Sequence, residues 1–253
     1  MKKFLVLLTA CSAWVLSAMA FSNNDADRDL EKSIGNLYVF KSLLKDFDVK
    51  IDAKDGAVTL TGLVSNEPQK LLAKEAAANH TGVKSVNDNL KITGGESADR
   101  ADSILALNVK SMLLLHRGVN GFGTTVSADA GRITLTGEAI NEAQKQLTSE
   151  YAGDVEGVKD VKNEMTVSKV QKPEKETLGQ KIDDASITAQ IKVSLFFHRS
   201  TRVTKTQVKT EDGVVTLSGM AKNKAERELV TKLVNDINGV TRVNNQMTIM
   251  TGS

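Results

Sequence analysis

The residues of this chain that could carry chemistry are three histidines, two pairs of neighbouring acids, a glycine-rich loop and one aromatic–basic run. His80, His116 and His198 lack the Asp/Glu–His spacings of a metal site. His116 and His198 stand at equivalent places in two repeated segments, where the first segment has Lys41. They read as helix-end histidines close to a favourable C-terminal dipole. Asp46/Asp48 and Glu226/Glu228 read as solvated faces rather than a general acid/base pair. Gly118, Gly121 and Gly123 neither follow a strand nor open a helix, which argues against a phosphate cradle. Nucleophile-elbow and P-loop patterns are absent. No catalytic residue, metal ligand or cofactor is assigned.

The remaining run is Phe196-Phe197-His198-Arg199, followed by Arg202, Lys205 and Lys209. Two rings beside several cations suit the headgroup layer of an anionic membrane. Each basic side chain near such a surface contributes about 1 kcal/mol. The competing reading is that one phenylalanine ends a core stripe, because Leu115 holds the place of Phe197 in the preceding segment.

What positions these residues is a repeat. GAVTLTG at 56–62, GRITLTG at 131–137 and GVVTLSG at 213–219 align without a gap. Gly56, Gly131 and Gly213 open the segment, and Gly62, Gly137 and Gly219 close it. Further on, Gly82, Gly157 and Gly239 coincide, each followed by valine. Each unit opens with an amphipathic helix, marked in the third by Ile187, Ile191 and Leu195. A short strand, a Gly turn and the quoted strand follow, the last alternating apolar residues with threonine. Asn66-x-x-Gln69, Asn141-x-x-Gln144 and Asn223-x-x-Glu226 are capping boxes that start a second helix. Gly82, Gly157 or Gly239 stops it before a final strand.

The predicted fold is α+β: three tandem α-β-β-α-β modules at 27–93, 99–168 and 183–250, each a short mixed sheet packed by two helices. A charged linker at 169–182 contains Pro173. It is expected to act as a flexible tether that leaves the third module less constrained than the others.

Residues 1–20 read as a secretory signal peptide: Lys2-Lys3, an apolar stretch from Phe4 to Leu16, and Ala18-Met19-Ala20 as the cleavage site. Release into the periplasm after Ala20 is the expectation, with an outer-membrane lipoprotein acylated at Cys11 as the alternative. Cleavage after Ala20 removes the sole cysteine, and with it any disulfide or thiolate site.

Removing Lys2 and Lys3 leaves 31 basic and 31 acidic side chains, from 33 and 31. A neutral, exported chain argues against nucleic acid as a partner. The balance is uneven by module: ten basic and ten acidic over 27–92, seven and ten over 99–167, ten and seven over 183–249, giving 0, −3 and +3.

The x-V-x-L-x-G strand after glycine and the later G-V-x-x-V turn resemble the BON domain, in three copies over nearly all of 27–250. The resemblance implies a non-enzymatic envelope protein linked to osmotic stress. It also implies contact with anionic phospholipid or, alternatively, chaperone-like binding of exported and outer-membrane proteins. The repeated glycines are then structural.

Overall fold

The computed structural model describes residues 25–93, 98–168, 181–201 and 206–250, without the side chains of 98–100. The signal segment, Cys11, Arg202, Lys205 and most of the charged linker lie outside the described residues.

Module 1 contains helix α1 (25–35), a π-helical turn (Val39–Leu43), β1 (Val49–Lys54), β2 (Ala57–Val64), α2 (Glu67–Ala78) and β3 (Ser85–Ile92). Module 2 contains α3 (Ala98–Leu115), β4 (Thr124–Asp129), β5 (Arg132–Ala139), α4 (Glu142–Gly153), β6 (Asp160–Asn163) and β7 (Thr166–Val167). Module 3 contains α5 (Asp184–Phe197), β8 (Gln207–Glu211), β9 (Val214–Ser218), β10 (Met220–Ala221), α6 (Lys224–Asn235), β11 (Arg242–Asn245) and β12 (Thr248–Ile249). The α-β-β-α-β order is as expected from the sequence.

In each module the threonine-rich strand lies at the centre of the sheet. It pairs antiparallel with the strand before it and parallel with the one after α2, α4 or α6. Its apolar residues form the core: Val58 and Leu60, Ile133 and Leu135, Val215 and Leu217 are all fully buried. The capping boxes form as read, with Asn66, Asn141 and Asn223 each accepting the amide of the residue three places on.

Two glycine positions are dictated by backbone. Gly62, Gly137 and Gly219 have φ of 121°, 127° and 114°. A Cβ on Gly62 would run into the Asp48 carbonyl oxygen, and one on Gly137 into that of Gly123. In the hairpin turn both central residues are left-handed: Asp55, Ala130 and Asp212 at φ 53°, 49° and 49°, each followed by its glycine.

A carboxylate at the start of each first helix clamps that turn. Asp102 accepts the amides of Ala130 (2.6 Å) and Gly131 (2.9 Å). Asp184 accepts those of Asp212 (2.8 Å) and Gly213 (2.9 Å), and Asp27 accepts that of Asp55 (2.9 Å). Helix and hairpin are thereby locked together before the core is counted.

The modules do not hang as beads. Helix α2 of module 1 packs along α5 of module 3. Lys192 reaches Glu75 at 2.7 Å across this contact. The first helix of module 1 breaks after residue 35, where the other modules continue, and the amides left over are satisfied by module 3. Tyr38 N donates to Asp183 (2.9 Å) and Val39 N to Ser186 (3.2 Å). Module 1 also touches module 2, through Asn66 and Ser111 at 3.1 Å. The expectation of a loosely tethered third module is therefore corrected. Its first helix is the covered centre of the molecule: nine residues between Ser186 and Leu195 are buried, and α2 of module 1 packs along it.

Ala130 is an alanine in the left-handed region, which costs a non-glycine residue roughly 1–2 kcal/mol. Asparagine tolerates that region better. Ala130→Asn is expected to raise stability by about 1 kcal/mol, seen as a higher midpoint in urea denaturation. An unchanged or lower midpoint would show that the turn carries no such strain.

Candidate functional site

The helix-end histidines lie where modules 2 and 3 meet. Helix α3 ends at Leu115 and the chain runs on through His116 and Arg117. Helix α5 ends at Phe197 and runs on through His198, extended at φ −80° and ψ 128°, and Arg199. Each of these ends lies against the turn after the second helix of the other module. His116 forms an antiparallel bridge with Ile237, and His198 forms one with Val155.

The two halves repeat in their backbone contacts. Arg117 N donates to Asp236 O (3.0 Å), and Arg199 N to Asp154 O (2.9 Å). Asn238 N donates to Leu115 O (3.0 Å), and Glu156 N to Phe197 O (3.2 Å). The Arg117 guanidinium donates to Val240 O at 3.0 Å, and that of Arg199 to Val158 O at 2.6 Å. His116 Nδ1 stands 3.7 Å from Asp236, and His198 Nε2 stands 3.4 Å from Asp154.

The chemistry of this site is that of a buried polar seam. His116 is 3% exposed and stacks on Tyr151, with ring centroids 4.0 Å apart and planes 11° apart. Its Nε2 stands 3.4 Å from Ser194 Oγ, while Nδ1 forms no hydrogen bond among the described residues. Burial above all, with the nearby His198 adding like charge, pushes His116 down to about 3. Asp236 is close, but without a hydrogen bond it does not offset the loss of water. The Tyr151 hydroxyl donates to Asp236. Burial, then this hydrogen bond, raises the phenol above its ordinary range. Asp154 is held below the usual carboxylate value chiefly by its contact with His198.

The aromatic–basic run is divided between jobs. Phe196 and Phe197 meet edge to face, 5.1 Å between centroids. Phe197 packs on the core, whereas Phe196 is 45% exposed. Arg199 is exposed but has one guanidinium nitrogen committed to the junction. Lys209 lies on β8 beside Glu211, at 2.7 Å. Sequence reasoning missed Asp154, Asp236, Tyr151 and the clamps Asp27, Asp102 and Asp184. The signal was present: each of these acids except Tyr151 recurs at the repeat offset. Among the described residues no group of acids, histidines or cysteines could hold a metal ion, and no helix is long and apolar enough to cross a membrane.

Fold and seam together define a tandem-repeat α+β protein whose modules dock into one body through their helix ends. The chain belongs to the BON domain family, which matches residues 26–94, 101–169 and 183–251. It is similar to osmotically-inducible protein Y of Escherichia coli, 34% identical over 112 residues, or 44% of this chain and 48% of that protein. It is also similar to the outer membrane lipoprotein DolP of Haemophilus influenzae, 31% identical over 113 residues, or 45% of this chain and 55% of that protein. The chain thus spans about half the length of these curated relatives. Among solved structures it is similar to the C-terminal domain of CdsD, the structural protein of the type III secretion system of Chlamydia trachomatis. That likeness has 16% identity and a TM-score of 0.24, covers 88% of this chain and 98% of that one, and carries no argument at that score.

The junction is predicted to weaken in acid. The folded-state pKa of His116 lies below its ordinary 6.5. Its contribution is therefore complete above pH 6.5 and declines as pH falls from there towards 3. The decline approaches about 1.4 kcal/mol per pH unit. Asp154, lowered as a carboxylate, adds to the loss as pH falls below its ordinary 3.8. Urea midpoints at pH 7, 5 and 4 are expected to fall, and less steeply in His116→Phe. A slope that is identical in the variant would contradict this assignment.

Proposed function

We propose that this chain is a protein of the bacterial envelope that attaches to anionic phospholipid surfaces, with the exposed end of α5 as its contact. The apolar segment after Lys2-Lys3, with its small-residue cleavage site, supports export. The names of its two relatives, an osmotically inducible protein and an outer-membrane lipoprotein, support an envelope role under osmotic stress.

The observation that carries the lipid reading is Phe196. Its counterpart in module 2, Leu114, lines the crevice where the three modules meet. Phe196 instead keeps nearly half its surface in water, three residues before Arg199 and six before Arg202. A ring at the interface with cations around it is the chemistry of headgroup binding. Arg199 is shared with the junction and Lys209 pairs with Glu211, so Arg202 and Lys205 carry most of the run's remaining charge.

A second reading, binding of unfolded envelope proteins, is favoured by apolar side chains exposed at the strand ends. Leu63, Ile140, Met220 and Met250 are 50%, 43%, 39% and 47% exposed, with at least one in every module. Several weak sites on one body gain through effective concentration.

Residues 21–253 are expected to co-sediment with phosphatidylglycerol vesicles at low salt and not with zwitterionic ones. Arg202→Glu with Lys205→Glu removes two favourable contacts, about 2 kcal/mol, or at least about thirty-fold in affinity. Phe196→Ser weakens binding without altering its salt dependence. Equal sedimentation with both vesicle types, or none, would overturn the lipid reading. Slowed aggregation of an unfolded outer-membrane protein in the same preparation would then favour the second.

A further inference from the structure

The junction between modules 2 and 3 uses one set of residues twice. Each module carries a helix-end half: Leu115-His116-Arg117 in one, Phe197-His198-Arg199 in the other. Each also carries a turn half: residues 154–158 in one and 236–240 in the other. The two backbone hydrogen bonds, the β-bridge and the guanidinium-to-carbonyl bond of one half all have counterparts in the other. This is the geometry of an isologous contact between two subunits, written inside one chain.

We propose that this junction is also an intermolecular surface, and that its other occupant is module 3 of a second copy of the chain. Two chains exchange third modules and form a dimer held by two such junctions. The exchange alters no contact. Among the described residues module 3 is joined to the rest by hydrogen bonds, ion pairs and packing, and residues 169–180 are its chain connection to module 2. A connection of that length reaches on the order of 40 Å when extended. The closed and exchanged forms therefore differ mainly in effective concentration, which is on the order of millimolar for short connections.

Module 1 does not compete for the surface. Lys41-Ser42 replaces its helix-end pair and Asn79-His80 the start of its turn. It stays with module 2, to which it is joined by residues 94–97 and by the Asn66–Ser111 hydrogen bond. The exchanged unit is thus module 3 alone, carrying both the α2–α5 contact and the junction. This inference does not depend on lipid binding.

The test uses residues 21–253, which lack cysteine. Light scattering is expected to give the monomer mass at micromolar concentration and a growing fraction of twice that mass towards millimolar. Deleting residues 172–179 leaves four connecting residues, which reach only on the order of 15 Å, and is expected to raise the fraction of doubled mass at micromolar concentration. For the second readout, Val155→Cys and His198→Cys chains, with the connection intact, are refolded together at high concentration. Val155 and His198 are bridge partners, at a spacing a disulfide spans. The mixture is expected to yield a disulfide-linked heterodimer well above that formed by Val155→Cys with Lys209→Cys. A single monomer mass at every concentration, together with no linkage above that control, overturns the proposal. The cysteine pair decides the matter even if the deletion variant does not fold.

Discussion

From Ser186 to Leu195 helix α5 has no face for water, and the rest of the molecule is arranged around that fact. Nine of its residues from Ser186 to Leu195 are buried. Ile187, Ile191 and Leu195 lie in the buried core, and Val193 lines the crevice shared with modules 1 and 2. A helix without a charged face must be covered on all sides, so module 3 cannot stand apart from modules 1 and 2. The polar groups carried into this interior are largely answered. Ser186 bonds Asp183 and receives Val39 N, Thr188 meets Thr210 at 2.7 Å, and the Gln190 amide donates to Ser186 O. Asp183 then serves two helices at once, capping α5 through one oxygen and holding Tyr38 of module 1 through the other.

Three copies of one fold have been given three duties by small changes at equivalent positions. Modules 2 and 3 keep a histidine–arginine pair after the first helix and an aspartate after the second, and these lock together. Module 1 has Lys41, Ser42 and Asn79 in those places and so has neither half of the lock. Its first helix also breaks after residue 35, where Gly35 stands in place of Lys110 and Lys192. That break frees amides that only another module can satisfy. The same lysine position divides the other two: Lys110 holds the carbonyls of Gly121, Phe122 and Thr124 in its own loop, whereas Lys192 reaches out to Glu75 of module 1. Docking order is thus set by single residues on a common frame.

The contrast in what the sequence disclosed follows from distance along the chain. Within a module, alternation of Val58 and Leu60 with threonine, the Asn caps and the repeated glycines all act on neighbours a few residues away. Their pattern is therefore visible as spacing. The junction residues act on partners about 120 or 40 positions away, as in Arg117 with Val240 and Arg199 with Val158. No periodicity records such pairs. Two signs were nonetheless legible. His-Arg recurs in modules 2 and 3 and not in module 1, and the α5 segment ASITAQIKVSLFF has too few charges to own a solvent face. The acids Asp27, Asp102 and Asp184 were hidden for another reason. A carboxylate before a helix reads as surface charge until the hairpin it clamps is placed beside it.

The opposite charges of modules 2 and 3 also change meaning once the seam is seen. A net −3 beside a net +3 is what two surfaces need if they are to associate rather than repel, and Asp154 feels both Arg199 and Lys232 across the boundary. Part of the basic excess of module 3 is therefore addressed inward. What remains for an outside partner is the portion the seam leaves over: an exposed ring at Phe196 and the basic residues that follow Arg199. The junction holds that end of α5 in a fixed place on the body. Phe196 and Arg199 are thereby held by contacts made for another purpose, so a partner that met them would spend little entropy in ordering them. Stability of the seam and the position of Phe196 thus rest on the same few contacts, and a change such as Arg199→Ala would disturb both.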